Sequence, residues 1–167
     1  MILRHIPAGA LPLQNGCCVN LFSFAGNCEA KLIDPWQGRA MRGSQLVQGG
    51  LSQMLKDDAY HNFGWLRDVR DYGGAAGRTL AREHIERWCR THTKWQETLF
   101  RPDQLCTRLT NLFFNLSWFG ESASDSFQDL LLNSLLFQTK ALSLDWQRQD
   151  DVSRQIVALK GLFIAQV

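Results

Sequence analysis

Few side chains in this sequence are suited to general acid–base chemistry. There are four histidines and two tyrosines. His84 and His92 lie on a strongly periodic helical segment, and His61 lies at a predicted helix start. Tyr60 and Tyr72 flank the stretch FGWLR. The best role for both is packing at a helix junction, with the ring buried and the hydroxyl forming a hydrogen bond at its edge. We therefore predict packing or surface roles for all five side chains, and we predict no catalytic residue.

The five cysteines form neither a metal-binding nor a disulfide pattern. They are scattered, without a C-x-x-C pair or a histidine at zinc-ligand spacing. We predict buried or free thiols, no bound metal and no cofactor. The opening apolar stretch is interrupted by Pro7, Gly9 and Pro12, which makes a poor secretion signal. These features predict a reducing, cytoplasmic location, with the periplasm as the alternative.

Length and composition predict one folded domain. The chain has 167 residues, of which 45% are hydrophobic and 20% are charged. Its net charge of +2 is small and no basic run is present, so we predict no nucleic-acid partner. The longest apolar stretches are shorter than the roughly 18 residues of a spanning helix, so we predict no membrane span.

The first 40 residues differ from the rest of the chain. CCVNLFSFAGNCEAKLI is typical of two short extended runs around an Ala-Gly-Asn turn, and a DPW corner follows it. From about Gln45 the period becomes helical, although Gly49 and Gly50 weaken the first helical segment. We therefore predict an extended segment at 1–40 and a helical region at 41–167.

Later segments show helical periodicity with apolar residues on defined faces. Glycine pairs or prolines mark several boundaries, such as the Gly-Gly pair after Tyr72 and Pro102 at a first helical position. Ser126 and Asp129 have the spacing of a capping box. The predicted buried stripes are Phe63, Leu66, Val69 and Tyr72; Ala81, Ile85, Trp88, Cys89 and His92; and Leu105, Leu109, Leu112, Phe113 and Leu116.

The last segment, DDVSRQIVALKGLFIAQV, raises the question of what covers it. Its predicted stripe is Val152, Ile156, Leu159 and Phe163. Leu162, Phe163 and Ile164 are consecutive and cannot all face one core, and each such side chain left in water forgoes about 1.5 to 3 kcal/mol. We therefore expect that covering helices are missing, and that the chain self-associates through residues 162–164.

Four sequence stretches resemble the N-terminal part of the heparinase II/III-like family, particularly its bacterial branch. The stretches are FSFAGN with DPW, HNFGWLRDVRDYGG with AREHIERW, FRPDQLCTRLTNLFFN, and RQIVALKGLFIA. The resemblance implies a mainly α fold, an incomplete (α/α) toroid of stacked helical hairpins with a short β-like N-terminal segment. It also implies that the rest of the toroid and a C-terminal β-sandwich lie outside this chain.

The resemblance further implies β-elimination on uronic-acid polysaccharides. In that chemistry a base removes the proton beside the carboxylate, and an acid protonates the leaving oxygen. The family's tyrosine and histidine catalysts lie in later helices and in the sandwich, so this chain is expected to be a fragment that is catalytically incompetent alone. Its partner in the full-length family is an acidic polysaccharide.

Substrate contact is a less demanding possibility, because sugar rings stack on aromatic faces and uronate carboxylates accept paired bonds from arginine. The candidate substrate-binding residues are Trp65, Arg67, Trp95, Arg101, Arg108 and Asn111. The alternative is that the tryptophans fill the layer between hairpins and the arginines pair with Asp68 and Asp103. Asn115, on the same segment as Asn111, could likewise face a groove or bond between helices.

A function of a different class is also open. The same terminal helix could make the chain a small helical interaction module that docks on another protein through its apolar stripe.

Overall fold

The computed structural model describes residues 34–51 and 57–145, together with residues 153, 156 and 159–161. These residues are mainly α-helical and include no strand, which confirms the predicted mainly helical class. The extended runs predicted before residue 34 and the apolar triplet at 162–164 lie outside this part of the chain. The helices are α1 (Ala40–Gly49), α2 (Asp57–His61), α3 (Trp65–Tyr72), α4 (Gly74–Thr91), α5 (Pro102–Gly120) and α6 (Asp125–Asp145).

Helix α1 packs mainly against α3, and glycine makes the close approach possible. A Cβ atom at Gly43 would overlap the backbone carbonyl of Asp68. Just before α1, the amide of Gly38 donates to Asp71 at 2.6 Å and the amide of Arg39 donates to Asp68 at 2.8 Å. The carboxylates of α3 therefore hold the start of α1 in place.

Most members of the stripes predicted for α3, α4 and α5 are buried in the core, whereas His92 and Leu116 are half-buried. Phe63, Leu66 and Val69 are fully buried, whereas the last member of the α3 stripe, Tyr72, is 40% exposed. Gly73, with φ of 80°, separates α3 from α4, and Gly74, the first residue of α4, has φ of 73°. This left-handed backbone conformation suits glycine and allows the two helices to follow each other directly.

Helix α5 is buried on several of its faces. It begins with Pro102 at its first position, and it contacts α3, α4 and α6. The buried side chains of α5 include both apolar and polar residues, among them Leu105, Leu109, Leu112, Arg108 and Asn115.

The start of α6 differs from the prediction. Ser124, rather than Ser126, caps this helix, because its hydroxyl accepts the amide of Phe127 at 3.4 Å and its carbonyl accepts the amide of Gln128 at 3.0 Å. The helix therefore begins at Asp125, and the capping box predicted from Ser126 and Asp129 is wrong. A serine that lies two residues earlier offers its oxygen to the third helical amide, which is the usual capping geometry.

Beyond α6, the described residues of the last predicted helix are helical. Gly161 packs closely on Cys106 of α5, whereas Ile156 is 61% exposed and Leu159 is 44% exposed. The two described members of the predicted apolar stripe thus face away from α5. Within residues 34–51 and 57–145, no helix has the length and apolar character needed to cross a membrane.

Candidate functional site

Three of the predicted substrate-binding residues hold one turn. The turn at 60–63 includes the last two residues of α2 and the two that follow it, and it presents three successive carbonyls. Trp65 Nε1 donates to the carbonyl of Tyr60 at 3.2 Å, Arg108 Nη1 to that of His61 at 3.2 Å, and Asn111 Nδ2 to that of Asn62 at 2.8 Å.

The backbone conformation of this turn explains why it needs such support. Phe63 has φ of 55°, a left-handed value that costs a bulky side chain of the order of 1–3 kcal/mol. Its ring is fully buried against Trp65 and Trp88, and this burial offsets the strain. The side-chain donors from α3 and α5 and the buried ring together fix the turn.

Arg108 is a buried cation whose hydrogen-bond acceptors are all neutral. It has no exposed surface, and it donates to Gln138 Oε1 at 2.6 Å and to the carbonyl of Leu99 at 2.7 Å, in addition to His61. Its guanidinium carbon lies 4.5 Å from the centre of the Trp88 ring. Burial lowers the pKa of Arg108 to about 9, so the group is still charged at neutral pH. Arg108 therefore joins α2, α5, α6 and the connection before α5.

Asparagine side chains extend these buried polar contacts along α5. Asn115 Nδ2 donates to the carbonyl of Asn111 at 2.8 Å, and Asn115 Oδ1 accepts from Arg70 at 3.1 Å. Asn62 Oδ1 is buried without a hydrogen-bond partner. The sequence left two alternatives for Asn111 and Asn115, namely facing a groove or bonding between helices. In the structure their side chains form bonds between structural elements. Whether Asn111 also contacts substrate stays a prediction.

The histidines and Tyr60 lie in one aromatic cluster around α4. The hydroxyl of Tyr60 and His84 Nδ1 lie 3.1 Å apart, and Trp88 Nε1 donates to His61 Nδ1 at 2.9 Å. The rings of His61 and His92 meet edge to face with centres 5.3 Å apart. Burial raises the pKa of Tyr60 and lowers the pKa of His84, so both groups are neutral at physiological pH. The packing roles predicted for these rings agree with this arrangement.

A different arrangement lies on the surface and includes Arg67. Trp36 is 54% exposed, and two cations lie near its ring: Arg67 Cζ is 5.5 Å from the ring centre and Lys160 Nζ is 5.7 Å from it. We call these three residues the Trp36 platform. An exposed aromatic ring beside two positive charges can stack on a ring-shaped ligand and attract its negative groups.

Buried Asp34 holds the platform in position. Arg67 Nε donates to Asp34 Oδ2 at 2.7 Å and Arg67 Nη2 donates to Oδ1 at 3.3 Å, which is a paired geometry. Burial opposes ionisation of Asp34, but the hydrogen bonds from Arg67 and from the Trp36 amide hold the pKa of Asp34 below its usual value. The charged carboxylate thus fixes both the guanidinium and the backbone that carries Trp36.

Among the residues that the structure describes, more cations than carboxylates lie around the platform. Arg70 contacts Asp34 at 3.4 Å and Asp71 at 3.2 Å, and it also donates to the carbonyl of Trp36. Arg42 approaches Asp68 at 3.5 Å. The cationic residues here are Arg39, Arg42, Arg67, Arg70 and Lys160, whereas the carboxylates are Asp34, Asp68 and Asp71. The local field therefore favours an anionic ligand.

The two remaining predicted substrate-binding residues lie elsewhere. Trp95 is 39% exposed in the connection between α4 and α5, where its ring packs on Phe100 with centres 5.4 Å apart. Arg101 is exposed beside it and pairs with Asp103 at 3.3 Å, as predicted for one alternative. The six predicted residues therefore lie in three separate places. Three of them bond to the turn at 60–63, Arg67 belongs to the Trp36 platform, and the other two lie in the exposed connection between α4 and α5.

Sequence reasoning missed Trp36, Lys160 and Asp34. The DPW stretch indicated a corner, and nothing in it shows that an arginine from α3 reaches the tryptophan ring. The available signal was the position of Arg67 and Arg70 on one helix, three residues apart, because such a pair presents two guanidinium groups to one neighbour.

Among the described residues, no group of three or more histidine, cysteine or acidic side chains could hold a metal ion. Comparisons with protein-family models, with curated proteins and with solved structures found no match to this chain.

Proposed function

We propose that this chain is part of a heparinase II/III-like polysaccharide lyase and that it binds acidic polysaccharide through the Trp36 platform. The observation that carries the binding role is the exposed Trp36 ring, which lies close to both the Arg67 guanidinium and the Lys160 ammonium. Stacking of a sugar ring on the indole and attraction of uronate or sulfate groups by the two cations would act together. The toroid arrangement of the helices belongs to the same proposal and is supported by the sequence resemblance.

Catalysis is not part of the proposed role of this chain alone. Tyr60 and His84 are adjacent, but both are at least half-buried and packed against neighbouring rings. We propose that the base and acid of β-elimination come from later parts of the full-length protein. Incubating the purified chain with heparin, alginate or hyaluronan and following the absorbance of the unsaturated product tests this point, and turnover by the chain alone would overturn it.

Binding is tested by titrating the chain with heparin-derived and alginate-derived oligosaccharides in a calorimeter. Replacing Trp36 with alanine should weaken binding at least about tenfold, a loss of about 1.4 kcal/mol, because the stacking surface disappears. Trp95→Ala is the matched control, since Trp95 is also partly exposed but lies in the connection before α5. A neutral glucan of equal length is the control ligand.

The role of charge is tested separately with Lys160→Gln. Within the part of the chain that the structure describes, Lys160 takes part in no ion pair, so this substitution removes a cation without breaking one. Binding should weaken most at low ionic strength and converge with wild type as salt rises. Equal binding by wild type, Trp36→Ala and Lys160→Gln would reject the platform as the site.

The second candidate function is the interaction module predicted from the last helix. The exposure of Ile156 and Leu159 is the observation that favours it. Sedimentation velocity of wild type and of an Ile156→Ser, Leu159→Ser double variant distinguishes the two proposals. A wild-type dimer that the double variant loses, with no oligosaccharide binding by either protein, would favour the module.

A further inference from the structure

Three groups that carry or can acquire a positive charge surround one tryptophan in the interior. Trp88 donates its indole N–H to His61 Nδ1 at 2.9 Å, and its ring centre lies 4.8 Å from that of His92. The Arg108 guanidinium carbon lies 4.5 Å from the same ring. Trp88 itself is 1% exposed, so this cluster lies inside the protein between α2, α4 and α5.

The hydrogen bond fixes the protonation state of His61. An indole N–H can only donate, so His61 Nδ1 must be the acceptor and a neutral His61 carries its proton on Nε2. Protonation of Nδ1 would place two N–H groups opposite each other, and the hydrogen bond would be lost. The folded arrangement around Trp88 therefore requires a neutral His61.

Neighbouring charges also disfavour a second positive charge in the cluster. Arg108 is already positive, and its acceptors are Gln138 Oε1 and backbone carbonyls, which leave its charge without a carboxylate partner among these bonds. Burial lowers the pKa of His92, and His61 and Arg108 lower it further. A proton added to either histidine thus places a second positive charge beside Arg108 in a low-dielectric interior.

The other titratable groups described near the cluster, Tyr60 and Cys89, are neutral near pH 7 and do not compensate for this charge. Tyr60 of α2 packs on His61 with ring centres 5.4 Å apart, and burial raises the pKa of Tyr60. Cys89 of α4 is buried, and burial raises the pKa of its thiol, so it is neutral near pH 7. Helix α6 contributes the neutral side chain of Gln138, and the connection before α5 contributes that of Gln96.

From this geometry we propose that His61, His92, Trp88 and Arg108 form a proton-sensitive latch on the turn at 60–63. At neutral pH the Trp88–His61 bond and the bond from Arg108 to the His61 carbonyl hold the turn against α4 and α5. In mild acid His61 takes up a proton at Nδ1, the Trp88 bond breaks, and repulsion from Arg108 moves His61 away. The turn then loosens, and the strained backbone at Phe63 favours its release.

Indole resonances of the ¹⁵N-labelled chain, followed between about pH 8 and 5, test the latch. The Trp88 indole resonance should shift with one inflection that coincides with the titration of the His61 ring. The Trp65 indole should follow with the same inflection, because it donates to the Tyr60 carbonyl in the same turn. The Trp118 indole, half-buried on α5 and outside the cluster, is the internal control and should stay constant.

Two variants then separate the roles of the histidines. His61→Asn keeps an acceptor for the Trp88 indole but cannot titrate, so the inflection at Trp88 and Trp65 should disappear. His92→Asn removes one neighbouring charge, so the inflection should remain and move to higher pH. A Trp88 resonance that stays constant while His61 titrates in the wild-type chain would overturn the proposal, as would an unchanged inflection in His61→Asn.

Discussion

At the scale of single residues, partners rather than residue types decide what each polar side chain does. The sequence shows that Arg108, Asn111 and Asn115 lie among apolar residues, and buried polar groups must find hydrogen-bond partners. It does not show which partners, because those of Arg108 come from α2, α6 and the preceding connection. These three polar side chains were therefore identifiable as unusual, but the support that Arg108 and Asn111 give to one turn was not.

Replacement of Arg108 with methionine tests its importance. The change should lower the free energy of unfolding by about 3–5 kcal/mol, since it leaves buried carbonyls and Gln138 without a donor. Arg108→Lys should be intermediate, because an ammonium cannot reach all three acceptors in the same fork-like geometry. Urea unfolding followed by circular dichroism measures both variants.

The matched control for this change is Arg101→Met. Arg101 is exposed and forms only a surface ion pair with Asp103, so its loss should change stability by less than about 1 kcal/mol. A loss for Arg108→Met as small as that for Arg101→Met would contradict the anchoring role of Arg108.

At the scale of elements, periodicity predicted most helices, whereas their ends and contacts depended on short-range detail. The proline at the start of α5 is found as predicted. Of the stripe predicted for α4, Ala81, Ile85, Trp88 and Cys89 are buried, whereas His92 is half-buried. The cap of α6 was misplaced because Ser124 and Ser126 both satisfy simple capping rules, and only the backbone geometry distinguishes them. The close contact of α1 with α3 was not predicted. In a sequence, a glycine within a helix indicates only a weak helix former, and it does not show that a second helix packs against it.

Gly43→Ala tests that helix contact. The new methyl group would meet the Asp68 carbonyl, a backbone atom that cannot move aside cheaply. We expect a loss of about 1–3 kcal/mol from overpacking, which outweighs the gain of about 1 kcal/mol in helix propensity. Thermal or urea unfolding measures the difference.

Gly64→Ala is the control for this substitution. Gly64 has φ of −61°, and a Cβ there would lie 3.8 Å from the nearest side-chain atom, Asn111 Nδ2, an ordinary contact. That variant should be neutral or up to about 1 kcal/mol more stable. If Gly43→Ala is as stable as Gly64→Ala, α1 does not pack on α3 as described.

At the scale of the whole molecule, the helical class and the core were predictable from the sequence, but the candidate site was not. Apolar stripes report which face of a helix is buried, and one sequence suffices for that. The Trp36 platform joins a corner before α1, helix α3 and the last described helical residues. Such a site depends on how distant segments pack, which periodicity does not encode. Of the three platform residues, only Arg67 was predicted from the sequence as a binding residue, because arginine suits carboxylate binding.

Stability of the whole chain should fall in mild acid because of the buried histidines. Burial is the largest cause that lowers the pKa of both His84 and His92, with Arg87 contributing at His84 and His61 and Arg108 at His92. In the unfolded chain the pKa of each is close to the ordinary histidine value of 6.5. The unfolded state therefore binds protons first as the pH falls, so stability is greatest above about pH 6.5 and decreases below it.

Thermal unfolding between about pH 7.5 and 5 measures this dependence, and each kcal/mol lost lowers the melting temperature by roughly 2–4 °C for a chain of this size. A His84→Asn, His92→Asn double variant should show a flatter dependence, because asparagine packs without titrating. His61 remains in that variant, so the local change at Trp88 should persist while the loss of global stability becomes smaller. An equally steep fall in the double variant would show that other groups, rather than these two histidines, couple folding to protons.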